Sequence, residues 1–321
     1  MRKFENIPHF SKWALALALC VIGVVGCFQS YFDPYYFQIV IYIGINLILA
    51  LSLNLICGIS GQFSLGHAGF MALGAYMSAV LSTLLHAGPA SFGLILVISG
   101  LVSAAAGFVV GMPSLRLRGD YLAITTLGFG EVIRVVIQNM EVVGGARGFI
   151  GISKLTNFFW VYAAVAVCLF IIYQATHSTY GKGFSAVKDD EIAAQAMGID
   201  TTRYKVIAFV TGAFFAGVAG ALFAHFITYI TPTTFGFMKS IEIAVMVILG
   251  GLGNTIGIMV AVVLLTILPE ALRGFTEFRM VIYSIVLIVV MLFCPQGLFP
   301  KALFSKWLNR VWTRLNKKEF R

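Results

Sequence analysis

Apolar runs of membrane-spanning length follow one another along nearly the whole of this chain, and they restrict its fold more than any other feature. A helix needs roughly 20 apolar residues to cross a bilayer. Ten runs approach that length: 13–29, 37–57, 67–85, 92–113, 121–138, 158–176, 206–230, 240–252, 254–272 and 279–296. The eighth and ninth are short and joined by glycines, and they read either as broken helices or as full spans. Only 11% of the residues are charged, against about 25% in soluble domains, so a soluble core has almost no room. A transmembrane β-barrel alternates polar and apolar residues along its strands, and these runs do not. The expectation is an all-α, polytopic transmembrane helix bundle of about ten spans, one domain over 1–321.

Basic residues orient such a bundle, because Lys and Arg accumulate in cytoplasmic loops. With the N-terminus inside, ten spans leave the C-terminus inside too. Sixteen of the 22 Lys and Arg residues then face the cytoplasm, among them Arg116, Arg118, Lys182, Lys188, Arg203 and Lys205. Five face outward: Arg147, Lys154, Lys239, Arg273 and Arg279. The net charge of +9 follows from this rule and from a basic cytoplasmic tail, 297–321. Its stretch Lys301–Arg321 reads as an amphipathic segment facing anionic membrane lipid. No nucleic-acid partner is called for. Arg2, Lys3 and Lys12 ahead of the first run, with Val24-Val25-Gly26-Cys27 inside it, admit a signal peptide. A retained first helix suits a polytopic protein better. Cys20, Cys27, Cys57, Cys168 and Cys294 show no metal-type spacing and read as small packing residues.

Gly69-Phe70-Met71 recurs as Gly236-Phe237-Met238, and the same offset carries the second run onto the seventh and the third onto the eighth. Those runs cross in opposite directions, so the offset describes an inverted internal repeat, a common transporter design. Chance recurrence of three common residues is the plain alternative. Gly58–Ala75 interrupts an apolar region with glycines and with Gln62, Ser64 and His67. Irregular backbone at membrane depth is tolerated only where protein or a water-filled cavity satisfies it. Two readings stand. One is a broken helix beside a translocation path, with Gln62, Ser64, His67 and Gly69 as its candidates. The other is a tight turn whose small residues pack one helix on another. His67 has no second ligand at helical spacing and makes no metal or proton site by itself.

Glu131 and Arg134 share one face of the fifth run and read as a structural intramembrane pair. Glu242 and Glu270 lie near run ends, with Lys239 one turn before Glu242. The seventh run sets Ala213, Gly217 and Ala221, and again Ala216, Gly220 and Ala224, at intervals of four. That spacing makes a close-packing stripe for another helix.

The loop 177–205 holds the longest polar segment between two apolar blocks. Asp189, Asp190 and Glu191 favour a helix N-terminus. Ala193, Ala194 and Met197 make a small apolar face, and Gly198 suits the position after a helix. A helix of about two turns is marginal in water, so it needs a dock. The chain has no G-x-x-x-x-G-K-[ST] phosphate loop. If ATP drives it, another subunit hydrolyses the nucleotide. His9, His67, His86, His177 and His225 are scattered, and no nucleophile–base pair or metal cluster marks an enzyme. The centres of the sixth, seventh, ninth and tenth runs carry no charge, which weighs against an ion-coupled carrier.

Several motifs together resemble the permease subunits of ABC importers, in particular the branched-chain amino acid permeases of the LivM type. They are Leu53–Gly74 (LNLICGISGQFSLGHAGFMALG), Gly119-Asp120-Tyr121-Leu122-Ala123-Ile124 with Thr126-Leu127-Gly128-Phe129-Gly130-Glu131, and Gly144-Gly145-x-x-Gly148. Val187–Gly198 with Arg203-Tyr204-Lys205, and Gly250-Gly251-Leu252-Gly253, complete the set. The resemblance implies import of branched-chain or related hydrophobic amino acids across the cytoplasmic (inner) membrane, with urea or short amides as the alternative cargo. It implies a second homologous permease subunit, two ATPase subunits and an extracytoplasmic substrate-binding protein. ATP is then used by those partners, and this chain binds no cofactor or metal. It also implies that 188–198 is the ATPase-coupling helix, with Lys188, Asp189, Asp190, Glu191, Ala193, Ala194, Met197 and Gly198 as its residues. Importer permeases carry an E-A-A-x-x-x-G pattern there. This chain has Glu191-Ile192-Ala193-Ala194-x-x-x-Gly198, with one residue between the Glu and the alanines.

Overall fold

The computed structural model describes residues 33–293, apart from 87, 90, 116, 118 and 275–277, together with Gly297. The first apolar run with Cys20 and Cys27, the loop residues Arg116 and Arg118, Cys294 and the basic tail beyond Gly297 lie outside the described residues.

The chain is a helical bundle. Asp33 opens it by accepting the Tyr35 N–H at 3.0 Å, and Pro34 occupies the first helical position, where no N–H is needed. Helix α1 (Pro34–Asn54) runs on into a π turn, Leu55–Ile59. There follow α2 (His67–Leu84), α3 (Phe92–Ser114), α4 (Asp120–Asn139), α5 (Phe158–His177), α6 (Thr179–Asp189), α7 (Glu191–Ala196) and α8 (Thr201–Ile227). Helices α9 (Phe237–Gly250), α10 (Thr255–Ala271) and α11 (Arg279–Phe293) complete the order. Two short strands, β1 (Phe149–Ile150) and β2 (Tyr229–Ile230), pair antiparallel and clip the loops at one end.

Among the described residues seven helical segments are long and apolar enough to cross a membrane: Pro34–Ile59, His67–Leu84, Phe92–Ser114, Phe158–His177, Thr201–Ile227, Pro232–Gly250 and Thr255–Gly274. The expected count of about ten is not reached. Helix α4 carries Asp120, Glu131 and Arg134 and is not among the seven, α11 has only 15 residues, and the first run lies outside the described residues.

Helix α8 is the centre of the bundle. Ala213, Ala216, Gly217, Gly220, Ala221 and Ala224 are all buried. A Cβ at Gly74 would overlap the Gly217 backbone, one at Gly217 would overlap Ser103, and one at Gly220 would overlap the Met71 carbonyl. The α8 backbone therefore touches α2 and α3 directly. This contact stands in for the hydrophobic drive that lipid-immersed helices lack. Ser103 Oγ adds a 3.0 Å bond to the Phe70 carbonyl across the same seam. The packing has a reciprocal pattern: α8 packs on α2 and α3, while α1 packs on α9 and α10.

Loops gather at two ends. The π turn, α7 and the Gly251–Gly253 corner meet at one, and the β1–β2 clip lies at the other. Gly220→Val should overpack the α8–α2 seam by more than the roughly 1–3 kcal/mol typical of core insertions, because backbone is what it meets. The melting temperature of the detergent-purified chain should fall sharply. Gly128→Ala, whose Cβ meets nothing within 4 Å, should leave it unchanged. Equal melting of both variants would refute the close approach.

Candidate functional site

The polar loop forms two helices that meet at a corner. Lys188 and Asp189 end α6, so the expected helix over 188–198 is shorter and α7 begins only after Asp190. Asp190 turns the chain: its Oδ1 accepts the N–H groups of Ile192 (2.9 Å) and Ala193 (3.1 Å). Gly198, at φ +81°, ends α7. The Ile199 N–H reaches the Ala194 carbonyl (3.0 Å) and the Gly198 N–H reaches that of Gln195 (2.9 Å), a Schellman cap that requires the left-handed residue. With both ends capped, six residues hold a helix that would melt alone.

The face that α7 presents differs from the sequence reading. Ala194 is buried against its own chain, whereas Ile192 is 65% and Met197 83% exposed, with Ala193 exposed beside them. The alanine pair was read as one face, but the Asp190 cap rotates Ala194 inward and puts Ile192 in its place.

Two ties join the α6–α7 corner to the broken segment after α1. Glu191 Oε1 pairs with Lys205 Nζ at 2.6 Å, and the Lys205 carbonyl accepts Gln62 Nε2 at 3.2 Å. Lys188 Nζ donates to the Gly58 carbonyl at 2.7 Å. That carbonyl lies in the π turn, where the helical ladder is dislocated and acceptors fall free. Gly58 has to be glycine: a Cβ there would overlap Asn54 Oδ1 and the Gly253 amide, which bond each other at 2.8 Å. The end of α1, the start of α7 and the α9–α10 corner thus share one junction.

The polar side chains of 60–67 point into protein, while Gly61 and Phe63 between them are exposed. Gln62, Ser64 and His67 are each at most 2% exposed. Gln62 Nε2 also donates to Ser60 Oγ (2.7 Å), and the Leu65 N–H to Thr126 Oγ1 (3.1 Å). The Ala68 N–H donates to Ser240 Oγ (3.2 Å). Ser52 Oγ donates to the Leu49 carbonyl (2.9 Å), so it accepts from His67 Nε2 (2.8 Å). A Cβ at Gly69 would press on the backbone of Gly130, which seats α2 against α4. Among the described residues no three His, Cys, Asp or Glu side chains are grouped to hold a metal.

Helix α4 carries the Glu131–Arg134 pair, Nε to Oε2 at 2.6 Å, with an Arg134 guanidinium nitrogen 3.3 Å from Gln138 Oε1. Only Leu122, Ala123, Thr126 and Ile137 of this helix are buried. Tyr121, Ile124, Val132 and Val136 are more than half exposed, and the space beside Gly128 is open. A helix with three charged residues and an uncovered face is poorly matched to lipid on all sides.

Membrane-length helices, a capped helix held out at one end and buried junctions around breaks in the bundle describe a transport permease. Residues 35–294 match the family described as branched-chain amino acid transport system permease component, and the chain belongs to that family. It is 38% identical over 291 residues to the high-affinity branched-chain amino acid transport system permease protein LivM of Salmonella typhimurium, across 80% of this chain and 68% of that protein. LivM of Escherichia coli is 37% identical over the same length and shares. The Escherichia coli permease protein LivH is 25% identical over 279 residues, 78% of this chain and 90% of that one. No solved structure matches the chain significantly.

Lys188→Met should leave the Gly58 carbonyl without its charged donor. Amide exchange over 58–62 and 190–198 should then accelerate roughly fivefold, the effect of losing about 1 kcal/mol from a partly exposed charged contact. The β1–β2 end should be unchanged. Unaltered exchange at 58–62 would mean that the lysine does not hold the turn.

Proposed function

We propose that this chain is one permease subunit of an ATP-driven ABC importer for branched-chain or related hydrophobic amino acids. The observation that carries the reading is α7: an exposed apolar helix, capped at both ends and wired through Glu191–Lys205–Gln62 and Lys188–Gly58 into the break after α1. Such a helix transmits force from a soluble motor to the bundle. The motor is an ATPase pair, because this chain has no phosphate loop, and Ile192 and Met197 are the groups that enter its groove. Glu191 serves as the tie to Lys205 rather than as a docking residue.

A second homologous permease covers the open face of α4, and the break holding Gln62, Ser64, His67 and Gly69 borders the path between the two subunits. The Gly69–Gly130 approach between α2 and α4 supports that arrangement. A binding protein delivers solute at the β1–β2 end. The α7 end faces the cytoplasm, as the weight of Lys and Arg requires, with both termini on that side of the inner membrane. The run 13–29, α4 and α11 bring the spans to ten. The reciprocal packing of α8 on α2 and α3, and of α1 on α9 and α10, supports two halves of inverted topology. The substrate class follows the names of the LivM relatives.

The test is the double variant Ile192→Glu, Met197→Glu, expressed with its neighbouring transporter genes. Both residues are exposed, so the subunit should melt as the wild type does. Co-purification of an ATPase and uptake of labelled leucine should fall at least tenfold, since two buried apolar contacts are replaced by charge. Undiminished uptake would remove α7 from the coupling role. Single cysteines at 192 and 147 should be shielded and labelled, respectively, by an impermeant reagent from outside, and the reverse pattern would invert the topology.

A further inference from the structure

Resting on that permease reading, we propose that a cavity between α1, α8, α9 and α10 is a binding site for the zwitterionic head of an α-amino acid. The cavity measures about 240 Å³. Its polar wall is Asn46, Lys239, Glu242, Thr266 and Glu270. Lys239 Nζ lies 3.0 Å from Glu242 Oε2 and 3.5 Å from Asn46 Oδ1. Asn46 Nδ2 donates to Thr266 Oγ1 at 3.2 Å, and Tyr35 O–H donates to Glu270 Oε2 at 2.7 Å. Ile39, Tyr42, Phe223 and Leu265 make the opposite, apolar wall.

Depth gives these charges their meaning. Lys239 and Glu242 sit near the start of α9 and read from sequence as span-end residues. Yet α9 has only 14 residues, a length of about 21 Å, and is preceded by β2 and the 3₁₀ turn Pro232–Phe235. The helix itself therefore falls short of a full membrane crossing. Its lysine meets Asn46, about 18 Å along α1 by helical rise, near the midpoint of the 26-residue segment Pro34–Ile59. Ionisable groups at that depth are expensive and mark solute pathways, and a helix beginning at mid-depth is a recurrent place for a solute site.

The charge balance selects the ligand. Lys239 is matched by Glu242, and Glu270 lies in the field of Arg273, whose guanidinium sits 5.4 Å over the Tyr35 ring. A lone cation or anion would leave one charge uncompensated. A zwitterion keeps the sum at zero. Its carboxylate takes the Lys239 ammonium and the Asn46 amide, its ammonium takes Glu242 and Glu270, and one ion pair is exchanged for two. The aliphatic side chain then lies on the Ile39, Phe223 and Leu265 wall.

Every group of the site comes from this chain, so the subunit alone carries it. The full chain, reconstituted in lipid nanodiscs, should bind tritiated L-leucine saturably in a scintillation proximity assay. Unlabelled L-isoleucine should compete. Isocaproate, which lacks the ammonium, and isoamylamine, which lacks the carboxylate, should compete about tenfold less well or worse. Glu242→Gln, which keeps shape and removes charge, should weaken leucine binding about tenfold. No saturable binding by the wild-type subunit, or equal competition by either singly charged analogue, would overturn the site. Neither outcome touches the importer reading, which stands or falls on ATPase association and uptake. The competition profile needs no variant, so misfolding of the Gln protein would not spare the proposal.

Discussion

Backbone amides in an apolar solvent have no water to bond, so every interruption of a helix in this bundle has to be closed by groups from another helix. The structure meets that demand at three places. The break after α1 is closed by Thr126 from α4 and Ser240 from α9. The Gly253 amide at the α9–α10 corner is closed by Asn54 from α1. The irregular run before α9 is closed by pairing of β2 with β1. Each closure depends on elements distant in sequence, and each works only because glycines let backbones approach. Gly58, Gly66 and Gly253 lie where a Cβ would strike a carbonyl, an amide or another backbone.

The same closures make the molecule mechanically continuous. The α6–α7 corner lies no more than a few bonds from the π turn of α1, through Lys188 to Gly58 on one side and through Glu191, Lys205 and Gln62 on the other. The second route is the stronger, because the Lys205 side chain is 9% exposed and the Glu191 side chain 21%. A charge pair so shielded keeps more of its Coulomb energy than one in open solvent. Displacing α7 without displacing the break would leave Lys205 largely buried and unpaired, a penalty of several kcal/mol. The contacts of buried α8 with α2 are backbone to backbone and cannot be repacked by rotamer changes.

How far this was legible in the sequence varies with the range of the interaction. Apolar runs announced the helices, because helix length and hydropathy are local. The Ala/Gly spacing of the seventh run announced a packing face, and α8 buries all six of those residues. Gly198 announced its cap. Glu131 and Arg134, one helical turn apart, are in contact. The orientation of Ala194 was out of reach, because the Asp190 bend sets it and a six-residue helix has too few positions to define a face. The partner of Lys188 was also out of reach. It is a glycine carbonyl 130 residues earlier, and a backbone acceptor leaves no side-chain signature. Asn46 and Thr266 carry no signal in the sequence, since what singles them out is each other.

The placement of Lys239 and Glu242 also bears on what drives transport. The sixth, seventh, ninth and tenth runs lack charge at their centres, which counts against an ion-coupled carrier, and the charged pair Lys239–Glu242 does not reverse that. Ion coupling needs a group that changes its net charge as the ion enters and leaves. Here a lysine ammonium and a glutamate carboxylate lie 3.0 Å apart. The pair is electrically neutral and offers no empty coordination shell to a cation. Its Asn46 contact adds an acceptor for the ammonium rather than a third charge. Such a constellation is suited to exchanging partners with a neutral, doubly charged solute, and unsuited to trapping an ion whose gradient would supply the work. The proposed importer takes its energy from elsewhere, and in that proposal the junction at Gly58 joins the α6–α7 corner to the bundle.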